Sequence, residues 1–148
     1  MKLKAHKSAT LMKTVKHIVL IDDDDFGNEY QQIVFKKALP SATITVFTDS
    51  RKVVSDWNNL VQTTKPGVST LVFLDIKMPA IDGFALLRHI KNTPDPYHHK
   101  GRFKIFMIST ADSSFYQKEL ESVSDMIEGF YTKPVTEKIL QEIMEKHF

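Results

Sequence analysis

Cysteine is absent from this 148-residue chain, which excludes disulfide scaffolds, thiolate metal sites and cysteine nucleophiles and suits a reducing compartment. Long apolar runs are missing too: nothing approaches the length of a membrane span, and the opening residues, rich in Lys, hold no apolar core of the kind a signal peptide needs. The expected location is therefore the cytoplasm, with no membrane partner. Nor is there an excess of either charge. The formal net charge is +2, and the basic residues are scattered apart from Lys2, Lys4, Lys7, Lys13 and Lys16, which read as a solubilising arm. Direct nucleic-acid binding is not called for. Low-complexity tracts and a second domain are likewise lacking, and the length suits one domain.

What is present is an alternation. His17 to Ile21 is a short, β-branched apolar run stopped by aspartates at 22 to 25, which reads as a buried strand. A helix is expected next, with Phe26, Tyr30, Ile33, Val34 and Ala38 as its apolar face and Pro40 closing it. Thr43 to Phe47 reads as a strand, and Asp49 or Ser50 can cap a helix facing inward with Val53, Val54, Trp57, Leu60 and Val61. After a Lys-Pro-Gly turn at 65 to 67 the unit repeats: strand Thr70 to Leu74 ending in Asp75, then a helix carrying Phe84, Leu86, Leu87 and Ile90. A further strand, Phe103 to Ile108, ends in Ser109 and Thr110. Ser113 to Ser124 is expected as a helix facing inward with Phe115, Leu120 and Val123. Phe130 and Tyr131 lie in a last strand, and Thr136 caps a final helix with Ile139, Leu140, Ile143 and Met144 on one side.

Five strands alternating with five helices predict an α/β fold, a doubly wound five-stranded parallel sheet with helices on both faces. In such folds the working site lies beyond the carboxyl ends of the strands. Asp22, Asp23, Asp75, Ser109, Thr110 and Lys133 are then neighbours. Three carboxylates at one sheet end repel one another unless a counter-charge is supplied. Oxygen-only ligands favour Mg²⁺, or Mn²⁺, over zinc. Asp75, at the tip of an apolar strand, can act as a nucleophile toward a phosphoryl group and form an acyl phosphate, with Lys133 offsetting charge and Ser109 donating a hydrogen bond.

Ile-Asp22-Asp23, Leu-Asp75-Ile-Lys-Met-Pro79-Ala-Ile-Asp82-Gly83, Ser109 and Phe130-Tyr-Thr-Lys133-Pro134, in this order and spacing, resemble the receiver domain of two-component response regulators, of the free-standing single-domain type. The resemblance spans residues 16–148, with 1–15 expected as a mobile N-terminal extension. It implies that Asp75 accepts phosphate from a phosphohistidine on a sensor kinase or a histidine phosphotransfer protein. It further implies that Asp22, Asp23, Asp75 and the backbone carbonyl of Lys77 hold the metal, that Lys133 pairs with the phosphoryl group, that the Lys133–Pro134 bond is cis as it often is in the family, and that Phe130 is the aromatic switch answering Ser109. Thr110 replaces Ser109 if the strand ends one residue later; strand alternation favours Ser109. Asp24 and Asp25 face solvent or cap the first helix.

Where relatives often carry groups that tune phosphoryl hydrolysis, two residues past the nucleophile and two past the hydroxyl, this chain has Lys77 and Ala111. The phosphorylated form is therefore expected to persist. Lys77 also argues against a phosphohydrolase, which commonly has a carboxylate there, so the chain is not expected to be an enzyme beyond its own phosphorylation and dephosphorylation. The aspartates after the first strand argue against a flavodoxin-like FMN binder, and the intact acid, hydroxyl and lysine set argues against a pseudo-receiver that never carries phosphate. His98 and His99, adjacent in a Pro-containing connection over 92–102, are expected in solvent rather than on a metal. With no length left for an output domain, the expected output is through surfaces of the fourth and fifth helices, toward a downstream protein that the sequence does not name.

Overall fold

The computed structural model describes residues 15–63, 69–92 and 103–147. The expected N-terminal extension, the turn at 65–67 and the His98-His99 connection lie outside those residues, apart from Val15 and Asn92. Strands β1 (Val15–Ile21), β2 (Thr43–Phe47), β3 (Ser69–Asp75), β4 (Phe103–Ser109) and β5 (Gly129–Thr132) alternate with helices α1 (Asp25–Ala38), α2 (Ser50–Thr63), α3 (Gly83–Lys91), α4 (Gln117–Ser122) and α5 (Glu137–His147). All neighbouring strands pair in parallel, in the order β2-β1-β3-β4-β5. The order reverses direction at β1, so the chain leaves β1 and β3 toward opposite faces and opens a crevice at their carboxyl ends.

The central strands read as continuous apolar runs because both faces are covered. Val19, Ile21, Val72, Leu74, Ile105 and Met107 point to one side, where Val53, Trp57 and Leu60 of α2 and Phe84, Leu87 and Ile90 of α3 meet them. The alternate residues Ile18, Leu20, Leu71, Phe73, Phe106 and Ile108 point to the other, against Phe35 of α1 and Leu140, Ile143 and Met144 of α5. Trp57 is fully buried, its ring 5.1 Å from that of Phe103, as its place on the apolar face of α2 predicts. Among the described residues no helix is long and apolar enough to cross a membrane.

Two sequence expectations are corrected. On α1, Phe26, Tyr30 and Ile33 are 85%, 51% and 67% exposed, while Asn28, Gln31 and Phe35 are buried, as is Leu39 just past its end. Phe35 lies nine residues beyond Phe26, about 180° around a helix of 3.6 residues per turn. Asn28 and Gln31 in the first half of α1 hydrogen-bond the backbone of the loops after β1 and β5, which need partners there, so these amides turn inward and the aromatic stripe is left outside. The second correction concerns 113–124. A 3-10 turn over Ser113–Tyr116 precedes the short α4, and Phe115 is 76% exposed. Asp112 accepts a hydrogen bond from the Ser114 backbone at 2.8 Å, a local bond that competes with a regular helical start. Tyr116 packs inward instead, with Leu120 half-buried and Val123 buried as expected.

Candidate functional site

Each acid owes its place to the end of a strand. Ile21 is the last residue of β1, and Asp22 follows it with its backbone N–H donating to Phe47 of β2 at 3.0 Å. Asp22 is buried and Asp23 exposed. Asp75 ends β3, opposite Ile108 of β4, and is 5% exposed. Carboxylate oxygens of Asp22, Asp23 and Asp75 lie within 4.8 Å of one another. These are oxygen-only donors of the kind a hard divalent cation prefers, so the donor chemistry fits such an ion, which Asp22, Asp23 and Asp75 would hold.

Lys133 enters from the β5–α5 connection. Its Nζ is 2.6 Å from Asp22 Oδ2 and 3.0 Å from Asp75 Oδ1. Its backbone N–H donates to the Ser109 carbonyl at 2.8 Å, and the Lys133–Pro134 bond is cis. Burial pushes the Asp75 carboxyl up to about 6, with the Asp22 charge adding to it against the pull of Lys133. Burial alone would lower Lys133, but its hydrogen bonds to Asp22 and Asp75 prevail and hold it above the usual lysine range. One ammonium shared by two buried acids leaves room for further positive charge.

Ser109 is buried at the end of β4, and its Oγ accepts from the Ala111 N–H at 3.1 Å; Thr110 is exposed. Both line a cleft of about 220 Å³ together with Asp22, Asp23, Asp75, Lys77, Ala111, Tyr116 and Lys133. Phe130 stands apart, half-buried on β5 against the core of the α2–α3 face. Asp24 and Asp25 are exposed at the start of α1, as expected.

Tyr116, Asn28 and Gln31 gave little signal in the sequence, whereas Asp82 and Gly83 stood in the motif after Asp75. Tyr116 lines the cleft and stacks at a tilt on Phe84, centroids 5.9 Å apart. Asn28 and Gln31 of α1 reach the loops that carry Asp22 and Lys133. Gly83 opens α3 directly behind the acid: a Cβ there would sit 2.4 Å from the Asp75 carbonyl oxygen. Only glycine permits that approach, while Asp82 caps α3 by accepting from the Ala85 N–H at 2.8 Å.

An acid at the β3 tip, an acid pair after β1, a hydroxyl at the end of β4 and a lysine after β5 meet around one crevice of a doubly wound sheet, an arrangement that suits a phosphoryl-accepting signalling module as a class. The family model for the response regulator receiver domain matches residues 18–145, and the chain belongs to that family. Similar solved structures include a two-component response regulator from Cytophaga hutchinsonii, with 24% identity and a TM-score of 0.75 over 89% of this chain and 96% of that one. A response regulator receiver protein from Dyadobacter fermentans has 19% identity and a TM-score of 0.70 over 89% and 97%. The chemotaxis response regulator CheY4 of Vibrio cholerae has 16% identity and a TM-score of 0.66 over 89% and 98%. At these identities the structures speak for the fold. No curated protein matches.

Proposed function

We propose that residues 16–148 work as a receiver that takes a phosphoryl group on Asp75 from a phosphohistidine, borne by a sensor kinase or a histidine phosphotransfer protein, and signals through changed protein contacts. The observation that carries this reading is the juxtaposition of Asp22, Asp23 and Asp75 within 4.8 Å with Lys133 Nζ bridging Asp22 and Asp75. An Asp75 oxygen forms the new P–O bond as the donor's P–N bond breaks, and the electron pair of that bond stays with the imidazole. Lys133 leaves Asp22 to pair with the phosphoryl oxygens, and Ser109 gives up its bond to Ala111 and turns its hydroxyl to a phosphoryl oxygen. Phe130 responds to the space that Ser109 vacates. Asp22, Asp23, Asp75 and the Lys77 carbonyl would hold Mg²⁺ or Mn²⁺, which when bound supplies charge neutralisation for both carboxylates and phosphoryl oxygens. Lys77 and Ala111 border the cleft without a group suited to orient a water, which supports a long-lived acyl phosphate.

A protein donor suits the rim of this cleft. Phe26 and Tyr30 of α1 are exposed beside the Asp22–Asp25 loop, and an apolar stripe adjoining a charged crevice favours a partner that delivers its phosphohistidine while covering α1. The nearest alternative is a pseudo-receiver that binds partners without phosphate. A separating experiment offers acetyl phosphate and, in parallel, a phosphorylated kinase to wild type and Asp75→Ala, with and without Mg²⁺, and reads intact mass. One added phosphoryl group that requires both Mg²⁺ and Asp75 is expected. No addition from either donor would leave the pseudo-receiver reading.

A further inference from the structure

Helix α1 turns two carboxamides into the protein, one turn apart on the face opposite its aromatic stripe. Gln31 is 4% exposed and uses both ends of its amide on one residue: Nε2 donates to the Val135 carbonyl at 2.6 Å, and Oε1 accepts from the Val135 N–H at 3.0 Å. This reciprocal pair is what a neighbouring strand would offer; here a side chain offers it across 104 residues of sequence. Val135 is itself fully buried, two residues beyond Lys133, while on the other side Lys133 is tied through its backbone N–H to Ser109. Asn28, three residues before Gln31, donates from Nδ2 to the Asp22 carbonyl at 2.7 Å. One helix face thus grips the backbone on both sides of the Lys133–Asp22 ion pair.

We propose that Gln31 is a positioning residue for phosphoryl transfer, fixing the Lys133 segment against α1 so that the ammonium reaches the phosphoryl site; this rests on the reading of Asp75 as the acceptor. Lysine is a long flexible chain whose head goes where its backbone allows. A displacement of about 1 Å in a group that stabilises transferring charge can cost up to about a hundredfold in rate. The metal ligands do not depend on the clamp, since Asp22 has Asn28 and its own bond to Phe47, and Asp75 is fixed by β3. Loosening Lys133 therefore separates two quantities that a general loss of structure would not: cation binding holds or tightens, because the competing ammonium is released, while transfer slows.

Gln31→Met keeps length and packing but removes both hydrogen bonds, and Gln31→Glu keeps only the acceptor. Both are compared with wild type for Mg²⁺ affinity and for the rate of phosphorylation by acetyl phosphate at saturating Mg²⁺, corrected for the folded fraction. Val53→Ala, in the core of the other face, serves as a destabilised control. The expected result is a rate about tenfold or more lower for Gln31→Met, a smaller loss for Gln31→Glu, and Mg²⁺ affinity equal to or above wild type. In a Lys133→Ala background, Gln31→Met should add nothing. The inference is overturned if Gln31→Met slows no more than Val53→Ala, if cation affinity falls in step with rate, or if the loss persists in full without Lys133. If Gln31→Met does not fold, a wild-type rate for Gln31→Glu overturns it equally. A wild type that takes up no phosphoryl group brings down the reading of Asp75 and this inference together; a labelled wild type with an equally fast Gln31→Met brings down this inference alone.

Discussion

Helices α1 and α3 flank the same crevice, each starting beside one of its acids, yet they are attached to the protein by different means. In α3 the apolar residues face in: Phe84, Leu86, Leu87 and Ile90 are all buried, and a glycine lets the helix begin against the backbone of Asp75. In α1 the apolar residues of the first turns face out and two amides face in. The difference follows from what each helix lies upon. The body of α3 covers apolar strand faces, which reward hydrocarbon. The first turns of α1 meet the segments that follow β1 and β5, where the backbone groups of Asp22 and Val135 reward hydrogen bonds. A helix beside a charged site can turn polar side chains inward to hydrogen-bond the loops and leave its apolar face exposed.

The largest effect separates the two sides of α1. Phe35→Ala should destabilise by about 3–5 kcal/mol, since its fully buried ring stacks 5.1 Å from Phe73. Ile33→Ala, two residues away, should stay within about 0.5 kcal/mol. Urea unfolding measures both, and equal losses would erase the contrast with α3. Next comes the start of α3. Gly83→Ala drives a methyl toward the Asp75 carbonyl and should cost about 1–3 kcal/mol and slow phosphorylation as well; unchanged stability would mean that α3 is not held as described.

A third effect lies in the acid between the two helices. Burial raises Asp75 to about 6 in the folded chain, against about 4 for an unfolded aspartate. In that interval the folded state binds more protons than the unfolded one. The contribution of Asp75 is therefore fully present below about pH 4 and is lost as the pH rises through 6. Denaturation in chelator across pH 4 to 7 should show wild type losing stability relative to Asp75→Asn, and parallel curves would contradict the burial argument. The smallest effect lies in the loop entering α3, where Ala80 has a φ of 67°. Ala80→Gly should stabilise by up to about 1 kcal/mol by removing a left-handed alanine; a loss would show that the Ala80 methyl contributes packing.

The sheet was legible because its central strands are buried on both faces, so Ile18 to Ile21 and Leu71 to Leu74 announce themselves as unbroken apolar runs. Asp22, Asp75 and Lys133 were legible because polar residues that end such runs have to gather at one edge. The inner face of α1 was not, because helical spacing of Phe26, Tyr30 and Ile33 is the same whether the stripe faces the core or the surface. Gln31 gave no signal either, since its partner is a backbone 104 residues away. The split at Tyr116 turned on a local competition among Asp112, Ser113 and Ser114 that apolar periodicity does not register.

The assignment of the phosphoryl group to Asp75 itself is a proposal. Its most direct test is to phosphorylate the protein in Mg²⁺, reduce it with borohydride and map the peptides, since reduction turns an aspartyl phosphate into homoserine. Homoserine at position 75, with Asp22 and Asp23 unchanged, is the predicted result; homoserine at another aspartate, or none after a phosphorylation seen by intact mass, would contradict it.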